Sequence, residues 1–172
     1  MDRYVSKLIL LISLVLLSAT LSWGQTAQDA ARLYKEAQEL EQKAKSTADL
    51  ERAVQKYERA LSACRKVGEK KGEAECLKNI GEVYRSWGQY AKALEYYEKS
   101  LEITRKIGNV KQEGITLNNI GLVYKSWGQY AKALEYYEKD LAITRKIGDV
   151  KGEGVSLNNI GEVYRSWGQY AN

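Results

Sequence analysis

The sequence predicts an all-α solenoid, a fold built by stacking antiparallel helix pairs. The stretch SWGQYAKALEYYEK occupies residues 86–99, recurs letter for letter at 126–139, and begins a third time at Ser166. Within each copy, apolar residues recur at helical spacing, and a glycine separates one helical stretch from the next. Because neither helix of a copy can bury its apolar side alone, a core forms only when copies stack on one another.

The repeat has a period of 40 residues, seen in the alignment of Ile80 with Ile120 and Ile160. The two full copies agree at about three positions in four, which makes the period certain. A fainter copy lies upstream in the same frame, with Tyr57 matching Tyr97. We divide the chain into a lead-in, 25–33, and an array, 34–172, composed of a divergent unit, 34–73, two full units, 74–113 and 114–153, and a partial unit, 154–172.

Each full unit is predicted to contain two helices. In the first, Leu77, Ile80 and Tyr84 recur at helical spacing, and a glycine then breaks the pattern. The second begins at Tyr90 and stops at another glycine, a residue that readily ends helices. Helices are therefore expected to turn at Gly88, Gly108, Gly128 and Gly148.

The spacing Leu77-x-x-Ile80-Gly81-x-x-Tyr84, followed by Tyr97, resembles the tetratricopeptide repeat. Leucine replaces the family's tryptophan, the closing proline is missing, and the period exceeds the usual one of about 34 residues. Longer repeats of this kind are similar to those of kinesin light chains. The resemblance implies a right-handed superhelical solenoid whose first helices line a concave groove for an extended peptide or a partner protein.

Differences between the copies indicate which groove residues could be tuned for a ligand. In the first helix the substitutions include positions 75, 78, 82 and 85, whose spacings place them on one stripe of the helix. The resemblance implies that this stripe faces the groove. Drift on a solvated surface would produce the same pattern, and it remains the alternative.

Beside that stripe, Asn79, Asn119 and Asn159 stay unchanged, although asparagine is unfavourable within a helix. In several proteins of the family, matching asparagines hydrogen-bond the backbone of an extended peptide, and an amide suits this because it donates and accepts. Bonding to a neighbouring repeat is the alternative. A column that keeps its positive charge could hold ligand carboxylates, or it could be a solvated face. The candidate peptide-binding residues are Asn79, Asn119, Asn159, Asn118, Asn158, Arg85, Lys125 and Arg165.

The two cysteines are expected to lie opposite each other. Cys64 and Cys76 flank a turn near residue 70, and small polar residues occupy the matching places in later units. In an exported protein this favours a disulfide. Two buried free thiols are the alternative.

The first 24 residues read as an export signal. Arg3 and Lys7 precede an apolar run at 8–17, and Ser22 and Gly24 are small residues where a signal peptidase would cut. The run is too short for a spanning helix, which needs about 20 apolar residues. A secreted or periplasmic protein is expected, free of the membrane after cleavage. An uncleaved membrane anchor is the alternative.

Composition limits the function. The net charge of +5 is spread among many carboxylates, so no nucleic acid is expected as a partner. Histidine, the commonest general base and metal ligand, does not occur. We therefore expect a binding module or scaffold for a peptide or protein, not an enzyme, with no cofactor and no metal. The alternatives are the N-terminal part of a larger bacterial enzyme, such as a caspase-like protease, and a self-assembling array.

The partial fourth unit breaks off soon after Tyr170. In the full units, a second helix covers the apolar side of the first. Without that cover, Leu157, Ile160, Tyr164 and Trp167 are expected to be partly exposed. The chain is therefore expected either to be a piece of a longer array or to self-associate through this end.

Overall fold

The computed structural model describes Gly24 and residues 26–170. Its described residues form seven α-helices and no strand, which confirms the predicted fold class. None of these helices has the length and apolar character needed to cross a membrane. The proposed export signal, apart from Gly24, lies outside the described residues. The helices are α1 (26–43), α2 (Thr47–Lys66), α3 (Lys70–Ser86), α4 (Tyr90–Lys106), α5 (Val110–Ser126), α6 (Tyr130–Ile147) and α7 (Val150–Tyr170).

Consecutive helices pack against each other along the chain from α2 to α7, and α3 also touches α5 across the intervening α4. The first helices of successive units, α3 and α5, therefore stand side by side. The core is divided into three clusters that follow the units, centred on Tyr57, Tyr97 and Tyr137. This is the stacked arrangement that the repeat predicts.

The glycine turns are confirmed. At Gly88, φ is +74°, a left-handed conformation that other residues adopt rarely. The N–H of Gln89 donates to the carbonyl of Tyr84 at 2.9 Å, and the N–H of Gly88 donates to Arg85 at 3.0 Å. Together these bonds form a Schellman motif, which satisfies the last carbonyls of α3. Positive φ angles also occur at Gly68, Gly108, Gly128 and Gly148.

The first helix of each full unit begins before the unit boundary drawn from the sequence: α3 begins at Lys70 and α5 at Val110. α3 is capped by the Glu69 carboxylate and α5 by Asn109 Oδ1, each accepting an N–H from the third residue on. These capping residues differ between copies, so comparison of the copies did not reveal them. α1 likewise covers 26–33 of the segment interpreted as a lead-in, 25–33, and buries Ala30 and Leu33 in the first core cluster.

A tyrosine ring pressed against a glycine joins the two helices of each full unit. Tyr97 and Tyr137 are fully buried. A Cβ atom added to Gly81 would lie 2.9 Å from the Tyr97 ring, and one added to Gly121 would lie 2.6 Å from Cε1 of Tyr137. No side chain other than hydrogen fits between ring and helix at these two positions.

Within the part of the chain that the structure describes, no tyrosine ring covers the corresponding face of α7. Leu157, Tyr164 and Trp167 are exposed at 46%, 58% and 42%, and Ile160 is half-buried. A Cβ atom added to Gly161 would meet nothing within 4 Å. The exposure expected for this helix is therefore observed.

Gly121 and Gly161 provide a matched test of the ring contact. Gly121→Ala should lower the free energy of unfolding by about 1–3 kcal/mol, because the methyl group overpacks the Tyr137 ring. Gly161→Ala should instead raise it by about 0.5–1 kcal/mol, because alanine favours a helix and the site is open. Urea unfolding followed by circular dichroism measures both. Equal effects of the two substitutions would contradict the contact.

Candidate functional site

A cavity of about 380 Å³ opens between α5, α6 and α7. Ile115, Asn118 and Asn119 line it from α5, and Val155 lines it from α7. α6 supplies its remaining side, including Asp140. Two of the predicted peptide-binding residues, Asn118 and Asn119, thus belong to one concave site.

Exposed aliphatic side chains form the walls of this cavity. Ile115, Ile147 and Val155 are all more than two-fifths exposed, and Ile143 packs behind them half-buried. Isolated apolar residues are common on protein surfaces, but a group that converges on one concavity is typical of a binding site.

A carboxylate lies buried beside these walls. Oδ2 of Asp140 accepts a hydrogen bond from Nδ2 of Asn118 at 3.0 Å and one from Oγ of Ser156 at 2.7 Å. Oδ1 of Asn118 in turn accepts from Nδ2 of Asn159 at 3.4 Å. Burial raises the pKa of Asp140, and the nearby Asp149 raises it further, against the effect of the two hydrogen bonds.

Three other charged residues line the cavity. Nζ of Lys111 lies 3.8 Å from the Asp149 carboxylate, and the Lys111 side chain is mostly exposed. The same carboxylate accepts the N–H of Gly152 at 2.9 Å near the start of α7. Lys151 is also exposed. These charges belong to the accessible part of the site, unlike Asp140.

A second cavity, of about 320 Å³, occupies the matching place between α1, α2 and α3. Its lining includes Cys64, Gly72 and Glu75, which correspond in the repeat to Thr144, Gly152 and Val155 of the first cavity. The two cavities are therefore copies of one feature at two junctions of the array, with different side chains.

The asparagine column is engaged within the array. Asn79 is buried, and its Nδ2 donates to the Tyr34 hydroxyl at 2.8 Å. Nδ2 of Asn119 donates to Oε1 of Glu82 at 2.9 Å, and that of Asn159 reaches Asn118. Each bond joins two different repeats, which is the alternative that the sequence left open. Asn79 is not accessible to a ligand in this structure.

The basic column is also partly engaged. Lys125 forms an ion pair with Glu162 of the next repeat. Arg85 is half-buried, and its Nε has no partner within the described part of the chain. Arg165 is exposed, as is Asn158, whose Nδ2 lies 3.5 Å from Glu162. The eight candidate residues therefore do not form one surface. Asn118 and Asn119 line the cavity, and Asn158 and Arg165 are exposed. Asn79, Asn159 and Lys125 bond to neighbouring repeats, and Arg85 is half-buried.

Cys64 and Cys76 are free thiols, both buried and in contact with each other. Burial raises the pKa of both thiols, most strongly that of Cys76. The predicted antiparallel placement is correct, whereas the disulfide stays a prediction. Among the described residues, no group of three acidic or cysteine side chains could hold a metal ion.

Sequence reasoning did not identify Asp140 or the α6 isoleucines as site residues. A signal for Asp140 was present, because the matching residues of the other units are Ala60 and Ser100. Ile143 and Ile147 gave no such signal, since Ile103 and Ile107 occupy the same places.

Comparison with known proteins identifies the family. The family model of the tetratricopeptide repeat matches residues 44–106 and 112–172, more than half of the chain. This chain therefore belongs to the tetratricopeptide repeat family, as its residues indicate. No curated protein matches the sequence.

Solved structures share the fold at low sequence identity. Aspartyl phosphate phosphatase F from Bacillus subtilis superposes with a TM-score of 0.76 at 16% identity, over 84% of this chain and 37% of that protein. A Rap protein complexed with Competence and Sporulation Factor gives 0.71 at 19%, over 84% and 40%. A putative kinesin light chain from Podosopora anserina with nearly identical repeats gives 0.66 at 18%, over 84% and 69%. This chain thus spans less than half the length of the first two.

Proposed function

We propose that this chain binds an extended segment of a peptide or partner protein along the side of the array formed by α3, α5 and α7. The observation that carries the proposal is the cavity between α5 and α7, where exposed aliphatic side chains meet amide groups. Pockets with mostly apolar walls and a few polar groups are the usual form of ligand sites, and 380 Å³ lies within their normal size range.

The amide groups on this side of the array support an extended ligand. Asn118 and Asn119 lie in adjacent positions at the cavity, and the open Asn158 lies one repeat further on. Amides pair well with the N–H and C=O groups of an extended backbone. Interaction with other proteins is in keeping with the membership of the tetratricopeptide repeat family.

Binding rather than catalysis is the role proposed for these residues. The sequence contains no histidine that could activate the cysteines, and burial raises the pKa of both thiols, which disfavours the reactive thiolate. If a catalytic domain belongs to the same protein, the array would recruit its substrate or partner.

Groove binding can be tested without a known ligand. A random-peptide display library is selected on the full chain, and the affinity of each selected peptide is measured by fluorescence anisotropy. Val155→Lys should weaken binding by about tenfold or more, because it places a charge in the apolar wall. Tyr164→Lys is the matched control, since Tyr164 is exposed on another face of the same helix.

Tyr164→Lys should leave the affinity unchanged. If the library yields no peptide, or if both lysine variants bind equally well, the groove is not the binding surface.

We further propose that the chain is exported and that Cys64 and Cys76 then form a disulfide. The basic start and apolar run of residues 1–24 support export, and the contact between the two thiols supports pairing. Disulfides persist in oxidising compartments, which is where an exported protein is found.

The disulfide is tested by mass spectrometry of exported protein that has never been exposed to a reductant. Unfolding in the presence of an alkylating agent should leave both cysteines unmodified, whereas prior reduction should allow two modifications. Two alkylated cysteines without reduction would contradict the disulfide. Protein that stays inside the cell with its N-terminal segment intact would contradict export.

A second candidate function is self-association through α7. Leu157 and Tyr164 are exposed on the side of α7 that holds Gly161, whose counterparts Gly81 and Gly121 each receive a tyrosine ring. We propose that a second copy of the chain packs on this face, α7 against α7, with its aromatic rings supplying the missing cover. The contact would be isologous, as in most dimers.

Light scattering tests this contact with the same two variants. Tyr164→Lys should shift the chain from dimer to monomer, because the lysine lies in the proposed contact. Val155→Lys should leave the dimer intact. A monomeric wild-type chain over the whole concentration range would rule the contact out.

A further inference from the structure

Asp140 is a buried acid without a basic partner. Its exposure is 4%, and the groups that donate to it, Asn118 and Ser156, are both neutral. Among the described residues, no lysine or arginine forms an ion pair with it. Buried carboxylates in proteins are normally paired with a cation, because removing the charge from water is otherwise unfavourable.

This acid lines the same cavity as the exposed isoleucines. Ile115 and Ile147 form part of the walls, and the Asp140 side chain is the most deeply buried polar group of the lining. A side chain that enters the cavity therefore passes along aliphatic carbons before it reaches a carboxylate.

Gly152 lies in close contact with two other residues that line the cavity. A Cβ atom added to Gly152 would lie 2.8 Å from Cγ2 of Thr144 and 3.1 Å from Cγ of Asp149, and both residues line the cavity. A larger residue at position 152 would therefore displace these two lining side chains. At the neighbouring junction, the matching residue is Gln112, whose Nε2 is buried.

The acid is specific to one junction. In the unit before it, the matching residue is Ser100, whose hydroxyl donates to the carbonyl of Ala74 at 2.8 Å. Asp140 instead requires Gly114 beside it, because a Cβ atom there would lie 2.8 Å from its Oδ1. The α5–α7 junction thus combines a cavity with a buried acceptor, Asp140.

We propose that this cavity takes a lysine side chain of the bound segment, with the aliphatic stem against the isoleucines and the ammonium on the Asp140 carboxylate. The inference rests on the groove binding proposed above and names the residue type that the groove selects. An apolar side chain would bury the acid further without compensation, and an acidic one would be repelled. A lysine supplies both the methylene stem and the charge.

The lysines already at the site do not fill this role. Lys111 is near Asp149 rather than Asp140, and its side chain is 70% exposed. Lys151 is likewise on the exposed side of the cavity.

The test uses peptides selected from the display library on the full wild-type chain. In each peptide, every lysine is replaced in turn by norleucine, which keeps the stem and removes the ammonium. One such replacement should weaken binding to the wild type by about 10- to 100-fold, the range for a hydrogen bond to a charged group. The same replacement should change binding to Asp140→Ser by little, because that variant carries the serine found at position 100.

Gly152→Gln is the second variant, since it keeps Asp140 but displaces the lining side chains Thr144 and Asp149 with the residue found at position 112. It should bind the peptides weakly and no longer distinguish lysine from norleucine. Circular dichroism and thermal unfolding verify that both variants fold.

The outcomes separate the two proposals. If no peptide is selected, groove binding itself fails, and the lysine pocket fails with it. If peptides bind the groove but norleucine replaces lysine without loss, or if Asp140→Ser distinguishes the two as well as the wild type does, the lysine pocket is wrong while groove binding stands.

Discussion

The contact of a tyrosine ring with a glycine is the constraint on which the array depends. Tyr97 on Gly81 and Tyr137 on Gly121 bring the two helices of a unit close enough to exclude water between them. A ring of this size buries a large apolar area, and the absent Cβ allows it to lie flat against the neighbouring backbone. Because the contact repeats with the sequence, each first helix takes the same position in its unit, which places the variable residues of α5 and α7 around the cavity.

The residues that vary between copies are those that distinguish one junction from another. Gly152 and Gln112 differ in side-chain size, and Ser100 and Asp140 differ in charge. A solenoid made of identical units would offer identical junctions. Here the repeated residues form the core, and the few varied residues set the size and charge of the side chains at each junction. A small number of substitutions is therefore enough to give one junction its own binding preference.

The sequence predicted the helices, the glycine turns and the core well, because each depends on residues within one unit. Tyr97 and Gly81, for example, are only 16 positions apart and recur with the period. The partners of the asparagines could not be predicted in this way. Asn79 bonds to Tyr34, which lies in α1, a helix the repeat pattern barely marks, and the distance along the chain is 45 residues. The position of Asp140 beside Asn118 likewise depends on how α5 and α6 cross, which spacing alone does not define.

The near identity of the two full units has a consequence for how the chain folds. During folding, a helix of one unit can dock where its copy belongs, and most local contacts would form equally well in the shifted arrangement. Contacts that exist at only one junction remove this ambiguity. The fit of Asp140 to Gly114 and the bond from Asn79 to Tyr34 each have a single correct partner. Contacts made by the varied residues thus stabilise the native pairing of helices over the shifted pairings that an almost periodic sequence allows.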